Sequence, residues 1–316
     1  MGLWVRHRET VRRAADIAYP WAMNPRRLRI GKHDTAWHDP FYRFVSEIFR
    51  GSDAKSWALW EEFGGWDDGY EVFAIAVDDR LVATIGRTRM RYVVDGAERV
   101  GYQLGAVATR DGFRRRGLAR QLMGWVVDEL DRPDQPIILF ANETVLDFYP
   151  RFGFRRVMQS RFLARAELRA TGRLARPCEL AHVAERARLA ELCWRARPMS
   201  QRFAARDYYF ILLWHLTNRP VRAFWLDGLD AVIAATMAGD RLILHDLIAA
   251  APFDLQQALP LLCAEPATEI EFCFSPEAWW PMTEVSLSEE GQHPLFVRGV
   301  LALPPGALRF PDLAQT

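Results

Sequence analysis

The feature that most constrains the fold is a change of apolar period within the first half of the chain. Residues 71–109 alternate as three strands, joined by an Asp78-Asp79 turn and an Asp95-Gly96 hairpin turn. From 117 to 131 large apolar residues recur every fourth position, which predicts a helix. The apolar run 136–142 then reads as a buried strand. Strands, a helix and a further strand in this order predict a mixed α/β domain.

The second half repeats this order of elements. The stretch FWLDGLDAVIAATMAG (224–239) resembles FAIAVDDRLVATIG (73–86), and IEFCFSPEAWWP (270–281) resembles ILFANETVLDFYP (138–150). Thr171-Gly172 marks a linker between the halves. We therefore predict two domains, spanning 1–170 and 176–316, that arose by tandem duplication.

Other segments are assigned by period and by turn residues. Residues 40–63 predict two short helices, and GFRRVMQSRFLARAEL predicts the last strand of the first domain. Four further helices are predicted, at ETVLDFYPRF, 178–196, 201–217 and 254–264.

Composition excludes several classes of protein. The chain has 316 residues and a formal net charge of +1, so no global field attracts polyanions. The four cysteines form no CxxC pair and the seven histidines are dispersed, so we predict no disulfide framework and no metal. No signal sequence or membrane-length apolar run is present, which predicts no membrane contact and a cytoplasmic location.

The stretch TRDGFRRRGLARQLM (109–123) carries the clearest chemical signal. A helix N-terminus offers unpaired N–H groups and a positive dipole end, so it binds anions. Gly117 allows close approach of the backbone to a phosphate, and Arg114 adds charge-assisted hydrogen bonds. Neither a Walker motif nor Gly-x-Gly-x-x-Gly is present, which disfavours a nucleoside triphosphate or a dinucleotide.

Two motifs together resemble the GNAT acyltransferase superfamily. The first, a strand leading into Arg-x-x-Gly-x-Gly/Ala, is met by Val107, Thr109, Arg114, Gly117 and Ala119. The second places an Asn seven residues before a Tyr and Gly-Phe four residues beyond it, here Asn142, Tyr149 and Gly153-Phe154. The resemblance covers roughly 70–165 and implies a GNAT-like acyltransferase fold, followed by a degenerate second copy.

The resemblance also implies acetyl-CoA as the donor. The pantetheine amides would pair with the backbone of Val107, Ala108 and Thr109, on a strand that splays from its neighbour. Asn142 would contact the pantetheine arm, a backbone N–H near Val107 would bind the oxyanion, and Tyr149 would protonate the departing thiolate. The pyrophosphate would lie on the loop and the first helical turn, which comprise Arg114, Arg115, Arg116, Gly117, Leu118, Ala119 and Arg120. Tyr149 as a packed aromatic and Asn142 as a helix N-cap remain structural alternatives.

One position departs from part of the family. Some relatives have a glutamate general base where this chain has Gln103, which does not accept a proton usefully. His38, Asp39 and Glu71 are candidates to replace it. In the repeat, Trp280 lies opposite Tyr149, so the second half is predicted to be non-catalytic. The aromatic residues of the first two helices are more typical of a core than of a ligand cage, namely Phe41, Tyr42, Trp57 and Trp60.

The sequence thus predicts an N-acetyltransferase that moves the acetyl group of acetyl-CoA to a primary amine, and it leaves homo-oligomer formation open. A small-molecule acceptor is favoured because an added domain encloses pockets. Two alternatives stay open. One is a catalytically silent acyl-CoA-binding regulator. The other is a nucleic-acid-binding protein that uses the eight basic residues within 1–32, although a solvated face is the more ordinary role of such a run.

Overall fold

The computed structural model describes residues 25–49, 53–287 and 293–316. The first half contains β1 (Arg26–Ile30), α1 (His38–Ile48), α2 (Ala54–Glu62), β2 (Tyr70–Val77), β3 (Arg80–Val94), β4 (Ala97–Thr109), α3 (Leu118–Leu130), β5 (Ile137–Phe140), β6 (Arg155–Val157) and β7 (Ser160–Leu168). The second half contains β8 (Arg176–Pro177), α4 (Val183–Arg195), β9 (Phe203–Arg206), α5 (Tyr209–Asn218), β10 (Arg222–Leu226), β11 (Ala231–Ala238), β12 (Arg241–Ala249), α6 (Leu255–Ala258), β13 (Ala267–Phe272), β14 (Glu284–Leu287) and β15 (Leu295–Arg298).

The first sheet has the order β1-β2-β3-β4-β5-β15-β6, with β9 beside the far end of β3. Strands β1 to β4 are antiparallel, and β4 pairs with β5 in parallel. The two predicted turns join β2 to β3 and β3 to β4. Positive φ at Asp78, Asp79, Asp95 and Gly96 suits the tight hairpin turns that match strand twist.

The second sheet has the order β14-β7-β13-β12-β11-β10-β8. Strands β10, β11 and β12 are antiparallel, and β12 pairs with β13 in parallel. These four strands pair in the same way as β2, β3, β4 and β5. A bulge interrupts the β3–β4 pair in the first sheet and the β11–β12 pair in the second. The predicted fold class, a mixed α/β GNAT-like fold followed by a second GNAT-like domain, is confirmed.

The two sheets exchange one strand each. Strand β7 leaves the first half and pairs with β13 and β14, while β15 returns from the second half and lies between β5 and β6. The predicted final strand of the first domain is therefore two strands that lie in different sheets. The domain spans 1–170 and 176–316 stay a prediction, and the exchange connects the two halves across that division.

The two faces of the first sheet are covered by different parts of the chain. Helix α3 packs on one face, in a core that also holds Tyr149 and Phe296. The opposite face packs against α1 and α2, and also against α4, α5 and residues 308–314 of the second half. We call this opposite face the acceptor face. A separate hydrophobic core packs against the second sheet.

Three helix predictions are corrected. Residues 143–152 form two 3-10 turns, Glu143–Val145 and Tyr149–Phe152, with Pro150 inside the second. The helix predicted from 201 begins at Tyr209, because Phe203–Arg206 pairs with the length of β3 that β2 leaves uncovered. The helix predicted over 254–264 is a single turn, α6, followed by a 3-10 turn. Within the described ranges, no helix combines the length and apolarity needed to cross a membrane.

Candidate active site

A wedge-shaped gap opens between β4 and β5. The two strands pair only from Tyr102↔Ile137 to Leu104↔Leu139, after which β5 ends at Phe140 while β4 continues to Thr109. A bulge starts where they part: Ala106 has φ +46°, and the Thr84 hydroxyl donates to its carbonyl at 2.8 Å. Bulges bend a strand and interrupt its ladder. Within the described chain, residues 105–109 have no backbone partner on the β5 side.

The loop after β4 is shaped by its own contacts. The Arg114 Nε donates to the Thr109 carbonyl at 3.2 Å, and its guanidinium pairs with Asp111 at 2.8 Å. Arg115 and Gly117 have φ of +60° and +78°. Alternation of right- and left-handed backbone directs successive N–H groups into one concavity, which is how a chain binds anions without side chains.

Helix α3 begins directly behind this loop and has no side-chain cap. Gly117 is its N-cap residue, and a Cβ built there would meet no atom within 4 Å. The first-turn N–H groups therefore face an open concavity at the positive end of the helix dipole.

The seven residues predicted to hold pyrophosphate are contiguous around this helix start. Arg114, Arg115, Arg116 and Arg120 are exposed, and the Arg116 guanidinium lies 5.3 Å from the Phe113 ring. Leu118 is buried in the sheet core, so only its backbone can face a ligand. The structure brings these residues together, and their pyrophosphate role stays a prediction.

Asn142 lies across the wedge, just beyond the end of β5. Its Oδ1 accepts from the Thr144 backbone N–H at 3.1 Å and from the Thr144 hydroxyl at 3.0 Å. The side chain therefore caps the following 3-10 turn, as one reading of the sequence proposed. Its contact with pantetheine stays a prediction.

Tyr149 is buried against aromatic rings. It is 4% exposed and contacts Phe148, Phe154 and Phe296, with ring centroids 5.4 to 6.1 Å apart. Burial raises its pKa to about 12. The phenol therefore stays protonated at neutral pH and has a proton to offer.

Gln103 forms two hydrogen bonds that the sequence did not predict. It is fully buried on the acceptor face; its Nε2 donates to the Ala314 carbonyl at 2.9 Å, and its Oε1 accepts from the Thr316 N–H at 2.8 Å. A Cβ on Gly105 would come within 2.7 Å of the Thr316 Oγ1. Residues 314–316 therefore lie directly against β4 where the wedge begins. No local pattern signals a contact between such distant parts of the sequence.

The candidate bases named from the sequence are all engaged. His38 is buried, with Nδ1 2.7 Å from a Glu61 oxygen and Nε2 3.0 Å from the Gly31 carbonyl. Asp39 pairs with Arg43 on the surface. Glu71 pairs with two arginines. None of the three is free to take a proton at the wedge.

The aromatic residues of α1 and α2 form a packed cluster. Phe41, Tyr42 and Trp60 are buried, and Trp57 packs between Tyr42 and Trp214. The Tyr42 hydroxyl donates to Glu61 at 2.5 Å. This arrangement agrees with the predicted core role and leaves no open cage.

The basic N-terminal segment lies mostly outside the described residues. Within them, Arg26 pairs with Asp79, Arg29 with Glu71 and Lys32 with Asp68. The Arg27 guanidinium stacks 5.4 Å from the Trp125 ring. Three of these residues thus form ion pairs and Arg27 stacks on a ring, while the other four basic residues of the run lie outside the described residues.

The corresponding gap of the second sheet is filled. Strands β12 and β13 pair as far as Leu244↔Phe272, and the Cys273 N–H then donates to the Leu244 carbonyl. On the same side, the Cys273 carbonyl accepts from the Asp312 N–H at 3.1 Å, and the Ser275 N–H donates to the Arg309 carbonyl at 3.2 Å. Residues 309–312 thus occupy the place where the first sheet has an open wedge.

Comparison with known proteins agrees with this geometry. Residues 30–157 match the family model described as an acetyltransferase (GNAT) domain. No curated protein sequence matches the chain.

Solved structures show the same fold across both halves. A probable N-acyltransferase from Enterococcus faecalis V583 is 11% identical, with a TM-score of 0.57, over 88% of this chain and 73% of that one. A GCN5-related N-acetyltransferase from Kribbella flavida is 17% identical, with a TM-score of 0.56, over 87% and 71%. A third, from Anabaena variabilis ATCC 29413, is 11% identical, with a TM-score of 0.51, over 87% and 72%.

The wedge, the uncapped helix and the matched family model all lie in the same stretch of the chain. Residues 30–157, which include the wedge and the start of α3, are similar to the acetyltransferase (GNAT) domain family.

Proposed function

We propose that the protein is an N-acetyltransferase that moves the acetyl group of acetyl-CoA to the primary amine of a small molecule. The observation that carries the proposal is the open wedge between β4 and β5, which ends at the uncapped N-terminus of α3. The free backbone edge suits an extended amide chain, and the helix start suits a diphosphate. Pantetheine and pyrophosphate occur in this order in coenzyme A.

The donor would lie along this surface. Val107, Ala108 and Thr109 offer backbone groups to the pantetheine amides, and the residues from Arg114 to Arg120 surround the pyrophosphate. Asn142, whose Oδ1 is already used, keeps its amide N–H groups for the pantetheine arm. Because the N–H groups of the loop are fixed by the backbone, binding the anion costs little reorganisation.

The reaction forms one C–N bond and breaks one C–S bond. The amine attacks the thioester carbonyl, and the oxyanion is stabilised by a backbone N–H near Val107. The C–S bond then breaks while the nitrogen loses a proton and the sulfur gains one. Tyr149 is the donor to the sulfur, because burial keeps its phenol protonated. A phenol with a pKa of about 12 is a weaker acid than a thiol, so we propose that donation is coupled to deprotonation of the new ammonium group.

A small acceptor is supported by the cover on the acceptor face. Helices α4 and α5 and residues 314–316 pack there from the second half. We propose that this cover admits a small molecule to the wedge more readily than a protein. The cytoplasmic location, the absence of a metal and a homo-oligomeric state remain predictions.

One observation favours the alternative, a catalytically silent acyl-CoA-binding regulator. His38, Asp39 and Glu71 all have partners, so no candidate base from the sequence is free. The two functions share the donor site and differ only in turnover.

An acceptor screen distinguishes them. Acetyl-CoA is supplied with amino acids, polyamines, aminoglycosides or peptides, and release of free thiol is followed. We expect at least one small-molecule amine to stimulate thiol release and to be recovered as its N-acetyl product. Binding of acetyl-CoA without transfer to any amine of the panel would favour the silent regulator.

A further inference from the structure

Residues 309–316 connect the filled gap of the second sheet to the acceptor face of the first. We call this stretch the crossing segment. At its start the Arg309 carbonyl and the Asp312 N–H bond the backbone beyond β13. At its end the Ala314 carbonyl and the Thr316 N–H bond the side chain of Gln103 on β4. A displacement of one end of the crossing segment would therefore displace the other end.

Asp312 is the charged anchor of the crossing segment. Its Oδ2 accepts from the Arg219 guanidinium at 2.9 Å and lies 3.0 Å from the His245 Nδ1. The other ring nitrogen, Nε2, lies 2.9 Å from the Thr236 hydroxyl, which fixes the imidazole. Burial alone would raise the pKa of Asp312, but the His245 and Arg219 contacts hold it well below its usual range, so the carboxylate is charged.

A cation site is the other interpretation of this cluster. The ligand-type atoms of His245, Cys273 and Asp312 lie within 4.8 Å of one another. However, Asp312 already bonds Arg219 and His245 through the same oxygen, and a metal would have to displace or face the guanidinium. The contacts favour a hydrogen-bonded anchor over a metal centre.

A second contact holds the segment one turn further on. The His215 Nε2 lies 2.7 Å from the Gln315 carbonyl. Burial lowers the pKa of His215 to about 4, so the imidazole is neutral at pH 7 and its Nε2–H donates to that carbonyl. His215 lies on the last turn of α5 and Arg219 is its C-cap residue, so this helix end makes two hydrogen bonds to the crossing segment.

We propose that Asp312 is a positioning residue for acceptor binding, and that the second GNAT-like fold has converted its own cofactor gap into the anchor of an acceptor-site wall. This inference rests on the proposed function, because the wall matters to catalysis only if an amine is bound beside Gly105. Asp312 acts through the crossing segment and does not touch the donor site.

The test compares Asp312→Asn with Asp254→Asn, a matched change at the cap of α6 that does not contact the segment. Kinetics use the fastest amine of the acceptor panel. We expect Asp312→Asn to raise the KM for that amine about tenfold, the size expected when a hydrogen bond to a charged group is lost. The affinity for acetyl-CoA should be unchanged, and Asp254→Asn should match the wild type in both.

Hydrogen exchange separates this inference from the proposed function. In Asp312→Asn, amides of 313–316 should exchange faster while α3 keeps its protection. An Arg219→Gln change should reproduce the effect, and the double variant should add little to either single change. If no amine is acetylated by the wild type, the proposed function fails, while the exchange result still decides whether Asp312 anchors the segment.

Three outcomes overturn the inference. The first is unchanged exchange at 313–316 in Asp312→Asn. The second is faster exchange with an unchanged KM for the amine, which would show that the segment does not form the acceptor wall. The third is an equal loss of acetyl-CoA affinity, which would place the effect in the donor site or in the fold as a whole.

Discussion

The two sheets share a topology and differ in what happens after the parallel pair. In the first, β4 and β5 part, and within the described residues the β4 edge has no backbone partner from residue 105 onward. In the second, residues 309–312 lie in the corresponding gap and bond the backbone of Cys273 and Ser275, beyond the end of β13. The helix starts differ in the same sense. Gly117 leaves the N-terminus of α3 open, whereas the Asp254 carboxylate accepts from the Gln256 N–H at the start of α6.

This contrast shows that the fold alone does not make a cofactor site. Both sheets have the bulge and the parallel pair, but backbone groups bind a ligand only where the chain leaves them unpaired. Side chains follow the same division: Tyr149 has an acidic proton, whereas the indole of Trp280 has none suited to protonating a thiolate.

The largest expected effect comes from closing the open helix start. Gly117→Glu places a carboxylate at the proposed pyrophosphate position, where like charges repel, so we expect acetyl-CoA affinity to fall more than about 100-fold. A side chain there meets open space, and the φ of +78° costs a residue with a Cβ roughly 1–2 kcal/mol, so we expect a less stable protein that still folds. Calorimetry of acetyl-CoA binding measures the loss.

Gly117→Asn is the matched control. It shares the positive φ of +78°, which Asn tolerates better than most residues, but adds no charge. We expect it to keep most of the affinity. If both variants bind acetyl-CoA as the wild type does, this helix start does not hold the diphosphate.

The next effect separates Tyr149 from its counterpart. Tyr149→Phe keeps the ring packing and removes the proton, so kcat for the best amine should fall about 100-fold with acetyl-CoA affinity unchanged. Trp280→Phe should change neither. A Tyr149→Phe enzyme with wild-type kcat would remove the tyrosine from the reaction and leave it as a packed aromatic.

The smallest effect tests whether the second gap is closed to water. Asp246 lies at the bulge of β12, and burial raises its pKa to about 7, although the Tyr208 hydroxyl bonds it at 2.8 Å. Because the folded pKa exceeds the unfolded one, the folded state holds the extra proton. The buried, protonated Asp246 therefore adds to the free energy of unfolding at acidic pH. This contribution is lost as pH rises through about 7.

Between pH 5 and pH 8 we expect the wild type to lose about 2 kcal/mol relative to Asp246→Asn, which mimics the protonated side chain. Chemical unfolding of both proteins across this range gives the difference, in which other titrating groups cancel. Parallel stability curves would mean that Asp246 is hydrated and not buried beside Tyr208.

Local patterns are enough to predict the elements that surround the candidate site. The strands, the Asp95-Gly96 turn, the helix start at Gly117 and the position of Tyr149 all depend on residues close in sequence. Spacing therefore predicts them, and the structure places the start of α3 directly after the strand that borders the wedge. Even so, the helix predicted over 143–152 is wrong, because the stretch around Pro150 forms short 3-10 turns.

Contacts between distant parts of the chain were not predictable. The sequence pattern predicts a helix over 201–217, but residues 203–206 form β9 because they pair with the end of β3, which lies far away in sequence. The exchange of β7 and β15 and the bonds from Gln103 to residues 314–316 have no local signature either. The hydrogen bonds of Gln103 form only when the second half of the chain packs against the first.

The most direct test of the contrast is the stoichiometry of acetyl-CoA binding to the wild-type chain, measured by calorimetry. The open wedge of the first sheet and the filled gap of the second predict one acetyl-CoA per chain, with that binding lost in Gly117→Glu. Two acetyl-CoA molecules per chain, or one that persists in Gly117→Glu, would contradict this account.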